Sequence, residues 1–107
     1  MSVDVALKAI ANPHRREILR LVGIGELSAG EIAERFDVSR PAVSQHLSVL
    51  KEAGLVDERR DGTRRLYRAN PNGLVELRDY LDQFWGERLD ALKREAEREE
   101  ERRGKHS

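Results

Sequence analysis

Residues 28–56 read SAGEIAERFDVSRPAVSQHLSVLKEAGLV, and their local chemistry points to two short helices, a tight turn between them and a strand behind. Ser28 is a favoured N-cap, Glu31 completes a capping box, and Leu27 with Ile32 fills both positions of a hydrophobic staple, so a helix is predicted from Ala29. Ile32, Ala33 and Phe36 fall on one face of it. Asp37 and Val38 break the run. Ser39 then caps a second helix with Pro41 in its first turn, where a missing N–H costs nothing. Val43, Leu47 and Leu50 recur at i, i+4 and i+7 as its apolar face, and Gly54 closes it as a left-handed cap. Arg40, Ser44, Gln45 and Ser48 occupy the opposite face. Such side chains reach base edges in a major groove wide enough to admit an α-helix, and Gln45 suits a bidentate bond to adenine.

A hairpin follows. LVDERR, then Asp61-Gly62, then TRRLYRA make two short strands around a dipeptide that favours a type I′ turn. That loop sets Arg60 opposite Thr63, Glu58 opposite Arg65 and Val56 opposite Tyr67. Arg59, Arg60, Arg64, Arg65 and Arg68 crowd the tip, suited to phosphates or a narrow minor groove. The candidate DNA-contacting set is Ser39, Arg40, Ser44, Gln45, His46 and Ser48 on the helix over 39–53, with Arg59, Arg60, Thr63, Arg64 and Arg65 in the wing over 56–68. For His46, beside Leu47, a base contact, a phosphate contact and a helix-packing role stay open.

The segments ANPHRREILRLV (11–22), ELSAGEIAERFDVSRPAVSQHLSVLKEAGLV (26–56) and RRDGTRRLYR (59–68) resemble the ArsR-type winged-helix repressors, with SQHLSVLKEAGLV the most specific words. The resemblance runs to about the middle of the last helix. It implies a homodimer that binds a pseudo-palindromic operator, usually near its own promoter, and releases it when an inducer arrives. Ser44, Gln45 and His46 match the family's recognition-helix positions, and Arg64 and Arg65 its wing positions. Metal-sensing members often carry cysteines at positions matching Ser28 and Gly30, or Asp and His ligands on the C-terminal helix. This chain has no cysteine, and its C-terminal helix has no histidine before His106. Thiolate metal chemistry and disulfide sensing within the chain are therefore excluded. His14, His46 and His106 lie far apart in sequence and on different elements, and nothing in their spacing argues for a metal, so neither a metal nor a cofactor is expected, although a histidine–carboxylate zinc site shared between subunits is left open.

At 107 residues the chain is long enough for one small domain with a modest core, which a dimer interface would help to stabilise. Twenty basic residues balance twenty acidic ones, unusual for a nucleic-acid binder, but the charge is unevenly placed. Between Glu58 and Arg68 five arginines face only Glu58 and Asp61, whereas from Asn72 onward acids outnumber bases. Binding is thus expected to be tight only at low to moderate salt. No stretch is apolar enough to span a bilayer and MSVDVALKA lacks a signal-peptide pattern, so the cytoplasm is expected.

The remainder reads as a dimerisation frame. Val3, Ala6, Leu7 and Ile10 form a short amphipathic helix, and Asn12 caps a second one opened by Pro13 that carries Ile18, Leu19, Leu21 and Val22. Asn70-Pro71 or Asn72 opens a long helix with Leu74, Leu77, Leu81, Phe84, Trp85, Leu89 and Leu92 every three or four residues. That stripe is too extensive for one small subunit to cover. Val3, Leu7, Ile10, Leu77, Leu81, Phe84, Trp85 and Leu89 are therefore expected to pack against a second copy in a two-fold contact. The domain is expected over 1–97, with 98–107 a charged tail in which the helix frays.

The fold class expected is mostly α with a small β-hairpin, a winged helix-turn-helix with a long C-terminal helix, homodimeric. Sequence-specific DNA binding as a repressor is the leading function. A winged helix used only for protein–protein assembly is the alternative, and an enzyme ranks last, since there is no cysteine, no Gly-rich phosphate loop of recognised spacing and no clustered Ser-His-Asp or paired-carboxylate arrangement.

Overall fold

The computed structural model describes residues 3–105, so His106 and the end of the charged tail lie outside it. Element order is α1 (Val3–Ile10), α2 (Pro13–Ile24), β1 (Leu27–Ser28), α3 (Ala29–Glu34), α4 (Arg40–Glu52), β2 (Val56–Asp61), β3 (Arg64–Ala69) and α5 (Pro71–Lys105). The chain divides into two compact units, Met1–Leu77 and Arg78–Ser107. No helix among the described residues is long and apolar enough to cross a membrane.

Caps set the helix boundaries of the first unit. Asn12 Oδ1 accepts from the N–H groups of His14 and Arg15 at 2.8 and 3.2 Å, with Pro13 as the first helical residue. Arg15 and Arg16 then donate back to the last carbonyls of α1, with Arg15 Nε 2.6 Å from Ala9 O and Arg16 Nη1 2.7 Å from Ile10 O. Ser28 and Glu31 form the reciprocal capping box on α3. Gly54, at φ 75°, ends α4 in a Schellman arrangement, with Gly54 N–H donating to Lys51 O and Leu55 N–H to Leu50 O, both at 3.0 Å.

Ile18, Ile32, Val43, Leu47, Leu50, Leu55 and Val56 are the largest fully buried side chains and draw α2, α3, α4 and β2 around one core. Val3, Leu7 and Ile10 pack partly buried against it, and Leu77 is itself a buried core member. The expectation of Leu77 at an inter-subunit surface is therefore corrected: it is covered by its own subunit. The cause lies at the start of α5. Asn70 caps that helix, its Oδ1 accepting from Asn72 and Gly73 N–H at 3.0 and 3.2 Å, while Asn70 N–H donates to Leu55 O at 2.8 Å. A Cβ on Gly73 would stand 2.0 Å from Gly54 O, so two glycines let the helix start lie against the end of α4.

The sheet has three strands, not two, in the antiparallel order β1-β3-β2, with Leu27 opposite Tyr67 and Ser28 opposite Leu66. The hairpin register also differs from expectation. Glu58 pairs with Tyr67, Arg60 with Arg65 and Asp61 with Arg64, leaving Gly62-Thr63 as the loop. Gly62 has φ 66° and among the described residues no non-glycine has positive φ, which is the glycine-first pattern of a type II′ turn rather than I′. Asp61 is thereby spared the left-handed region. The partner moves by two residues, so each side chain keeps its face.

The second unit is helix alone. Tyr80, Phe84 and Trp85 form an aromatic ladder, with ring centroids 5.8 Å apart for Tyr80–Phe84 and 5.1 Å for Phe84–Trp85. The Arg88 guanidinium lies 5.3 Å from the Phe84 centroid and 5.6 Å from that of Trp85. Leu81, Phe84, Trp85, Leu89 and Leu92 are exposed. The expected fraying from residue 98 is not found, because the helix continues to Lys105. Glu, Arg, Lys and Ala are strong helix formers, and Glu95 pairs with Arg98 at 3.6 Å and Arg102 at 3.5 Å, with Glu99–Arg103 at 3.8 Å.

Candidate nucleic-acid interface

Because Val43, Leu47 and Leu50 turn into the core, Arg40, Ser44, Gln45 and Ser48 are left on the exposed side of α4. Ser39 caps that helix, its Oγ accepting from Ala42 N–H at 3.3 Å, so its hydroxyl serves α4 itself. The wing residues Arg59, Arg60, Thr63, Arg64 and Arg65 are exposed as well. A cleft of about 510 Å³ joins the two, lined by Arg40, Ser44 and Ser48 from α4, Thr63, Arg64, Arg65 and Tyr67 from the wing, and Ser28 and Ala29 at the start of α3. Gln45, Arg59 and Arg60 do not line it.

Three wing arginines are engaged by carboxylates. Arg59 makes a two-pronged contact with Glu26, at 2.9 and 3.1 Å. Arg64 Nη2 donates to Glu31 Oε1, the oxygen that also accepts from Ser28 N–H at 3.2 Å in the capping box. Arg65 lies 3.4 Å from Glu58, whose other oxygen accepts from Lys51 Nζ at 2.7 Å. The expected Glu58–Arg65 attraction thus survives as a diagonal contact, although Tyr67 is the direct partner. The Arg59 hydrogen bond holds the Glu26 carboxyl below its usual value, the Ser28 backbone hydrogen bond and then Arg64 do so for Glu31, and Lys51 does so for Glu58. Arg40 and Arg60 have no ion pair among the described residues.

His46 leaves the exposed face of α4 and turns to α2. Its ring stacks on His14 with centroids 5.9 Å apart, and Arg15 Nη1 lies 3.4 Å from its Nδ1. Burial first, then the Arg15 and His14 charges, push its pKa down. Of the roles open for His46, helix packing is the one this geometry provides.

Glu26, Glu31 and Lys51 were not among the candidates drawn from sequence. Glu31 was legible as a cap, but Arg59–Glu26 and Arg64–Glu31 each join residues 33 apart, and no local pattern marks such pairs.

Residues 10–59 match the family model described as a helix-turn-helix domain. The chain is 52% identical over 84 residues to the HTH-type transcriptional regulator Rv2034 of Mycobacterium tuberculosis, covering 78% of each protein. Among solved structures, a possible transcriptional regulator for arsenical resistance superposes with a TM-score of 0.73 at 46% identity, covering 83% of this chain and 93% of that one. The homodimeric winged helix-turn-helix DNA-binding domain Mb0332 of Mycobacterium bovis superposes at 0.65, with 34% identity and 79% of both chains covered. Further relatives are named transcriptional repressors, in Bacillus subtilis and Staphylococcus xylosus, and one in Vibrio cholerae is named an activator. With this architecture and these relatives, the chain belongs to the ArsR-type winged helix-turn-helix family of DNA-binding transcriptional regulators, a non-enzymatic class.

Proposed function

We propose that the chain is a homodimeric repressor that binds a pseudo-palindromic operator in the cytoplasm, each subunit laying α4 in a major groove and its wing on the adjacent backbone. The carrying observation is that one cleft is walled by the polar face of α4 on one side and the arginine-bearing turn on the other. Gln45 and Ser44 read base edges, while Arg40, Arg60, Arg64 and Arg65 hold phosphates. The dimer forms through the exposed stripe Leu81, Phe84, Trp85 and Leu89 of α5, whose apolar groups lack cover in the single chain. A two-fold pair of recognition helices calls for half-sites about 34 Å apart, one helical turn of DNA.

The test is a footprint of the upstream region, followed by titration of the protected duplex. Gln45→Ala costs about 1–3 kcal/mol on the operator and relaxes preference at one base position, whereas Arg60→Ala weakens all sequences alike and flattens the salt slope by about 0.9. Gln45→Ala binding every operator variant as the parent does would remove the recognition-helix assignment. Trp85→Lys yields monomers with weaker operator binding; sedimentation showing an intact dimer would remove the role of α5. A promoter–reporter fusion that loses expression when the gene is deleted would reverse the sign to activation.

A further inference from the structure

Three of the wing arginines already meet carboxylates of their own chain. Resting on the operator reading above, we propose that Glu26, Glu31 and Glu58 act as internal phosphate mimics that hold the wing arginines and limit how strongly the protein grips DNA of any sequence. Three separate elements supply them: the turn before β1, the first turn of α3, and β2. Each reaches a different arginine, Glu26 to Arg59, Glu31 to Arg64 and Glu58 to Arg65. A carboxylate and a phosphodiester present the same feature to guanidinium, two anionic oxygens matched to its fork. Arg59 has already closed both prongs on Glu26. A DNA phosphate arriving at the wing therefore exchanges one anion for another, and the displaced carboxylate stays nearby, repelling the backbone it has yielded to.

The anchoring of the carboxylates sharpens this. Glu31 is held by the capping box, so it stays in place whether or not Arg64 leaves it. Glu58 is held by Lys51 at 2.7 Å, and its side chain is only 17% exposed. Glu31 and Glu58 thus each have a second partner that holds them when their arginine turns away. The neutral net charge of the chain thus has a local counterpart at its basic surface. The consequence is release from bulk DNA: non-specific complexes depend almost wholly on phosphate contacts, and an operator complex adds base contacts from α4.

The experiment compares the full-length parent, the double variant Glu26→Gln/Glu31→Gln and the control Glu17→Gln by fluorescence anisotropy. The probe is a labelled duplex of unrelated sequence, titrated across a series of NaCl concentrations. Glutamine keeps the capping box at residue 31, so the charge is removed without the cap. Glu17 pairs with Arg20 on α2, away from the cleft, and its substitution changes net charge by one unit alone. Each of these two carboxylates removed tightens binding by about twofold to fivefold, the factor corresponding to an exposed ion pair, or about 4- to 25-fold for both. The slope of log affinity against log salt steepens by up to about 0.9 for each arginine set free. Arg64→Ala placed on the double variant returns part of that gain. A double variant that binds like the parent, or Glu17→Gln tightening binding as much per charge, overturns the inference while leaving the operator reading intact. A parent indifferent to both this duplex and its footprinted site overturns the operator reading, and the inference with it.

Discussion

Helix α4 and the part of α5 beyond Leu77 carry the same kind of apolar periodicity, yet opposite fates. In α4, Val43, Leu47 and Leu50 are wholly buried by their own subunit. In α5, Leu81, Phe84, Trp85, Leu89 and Leu92 lie open, from 36% exposed at Leu81 to 67% at Leu92. Periodicity says that a face will be covered, and by nothing in itself says by what. Where the stripe is covered, the remaining face becomes a rigid platform for polar contacts; where it is not, it is free to be covered by a second copy.

The largest expected effect breaks this comparison most directly. Leu50→Ala costs about 2–5 kcal/mol, because it opens a cavity in a filled core. Leu89→Ala, at 59% exposure, falls within about 0.5 kcal/mol when the chain is monomeric. Chemical denaturation at two protein concentrations checks both. A loss at Leu89 that grows with concentration marks a dimer contact, and equal losses at both positions would erase the distinction between the two faces.

A second test uses one substitution at two sites along α5. Gly73→Ala drives a Cβ to 2.0 Å from Gly54 O and costs about 1–3 kcal/mol through overpacking. Gly86→Ala meets nothing within 4 Å and gains up to about 1 kcal/mol of helix propensity. Thermal melts of the two variants should shift in opposite directions, and two downward shifts would show that Gly86 is covered by something other than its own subunit.

The smallest effect lies between α2 and α4. Burial and the Arg15 charge lower the His46 pKa below its usual 6.5, so the unfolded chain takes up a proton before the folded one does as pH falls. Stability therefore declines as pH drops through 6.5 toward the lowered folded value, and no further loss from this group follows below that. His46→Gln removes that slope from a series of melts between pH 5 and pH 8, conditions on the order of the histidine range. An unchanged slope would assign it to other groups.

Much of α3, α4 and the hairpin was legible because their signals are local. Ser28 with Glu31, Ser39 with Pro41, and Gly54 act within a turn or two of the helices they delimit, and all are found in those roles. The hairpin was legible in existence but not in register, since Asp61-Gly62 and Gly62-Thr63 are both acceptable loops and only strand pairing decides between them. β1 was invisible because two residues carry no period. His46 was ambiguous because its neighbours on the helix do not include His14 or Arg15, which face it from α2.

The order of residues alone determined where α2, α3 and α4 begin, where α4 ends, which face of each helix is apolar, and that a basic hairpin follows a polar-faced helix, because capping, periodicity and turn chemistry act over a few bonds. Tertiary structure decided which arginines meet carboxylates, that Leu77 belongs to the core, and that Gly73 must have no side chain. Those outcomes depend on groups brought together from distant positions, whose encounter is set by how the elements pack rather than by any neighbour along the chain.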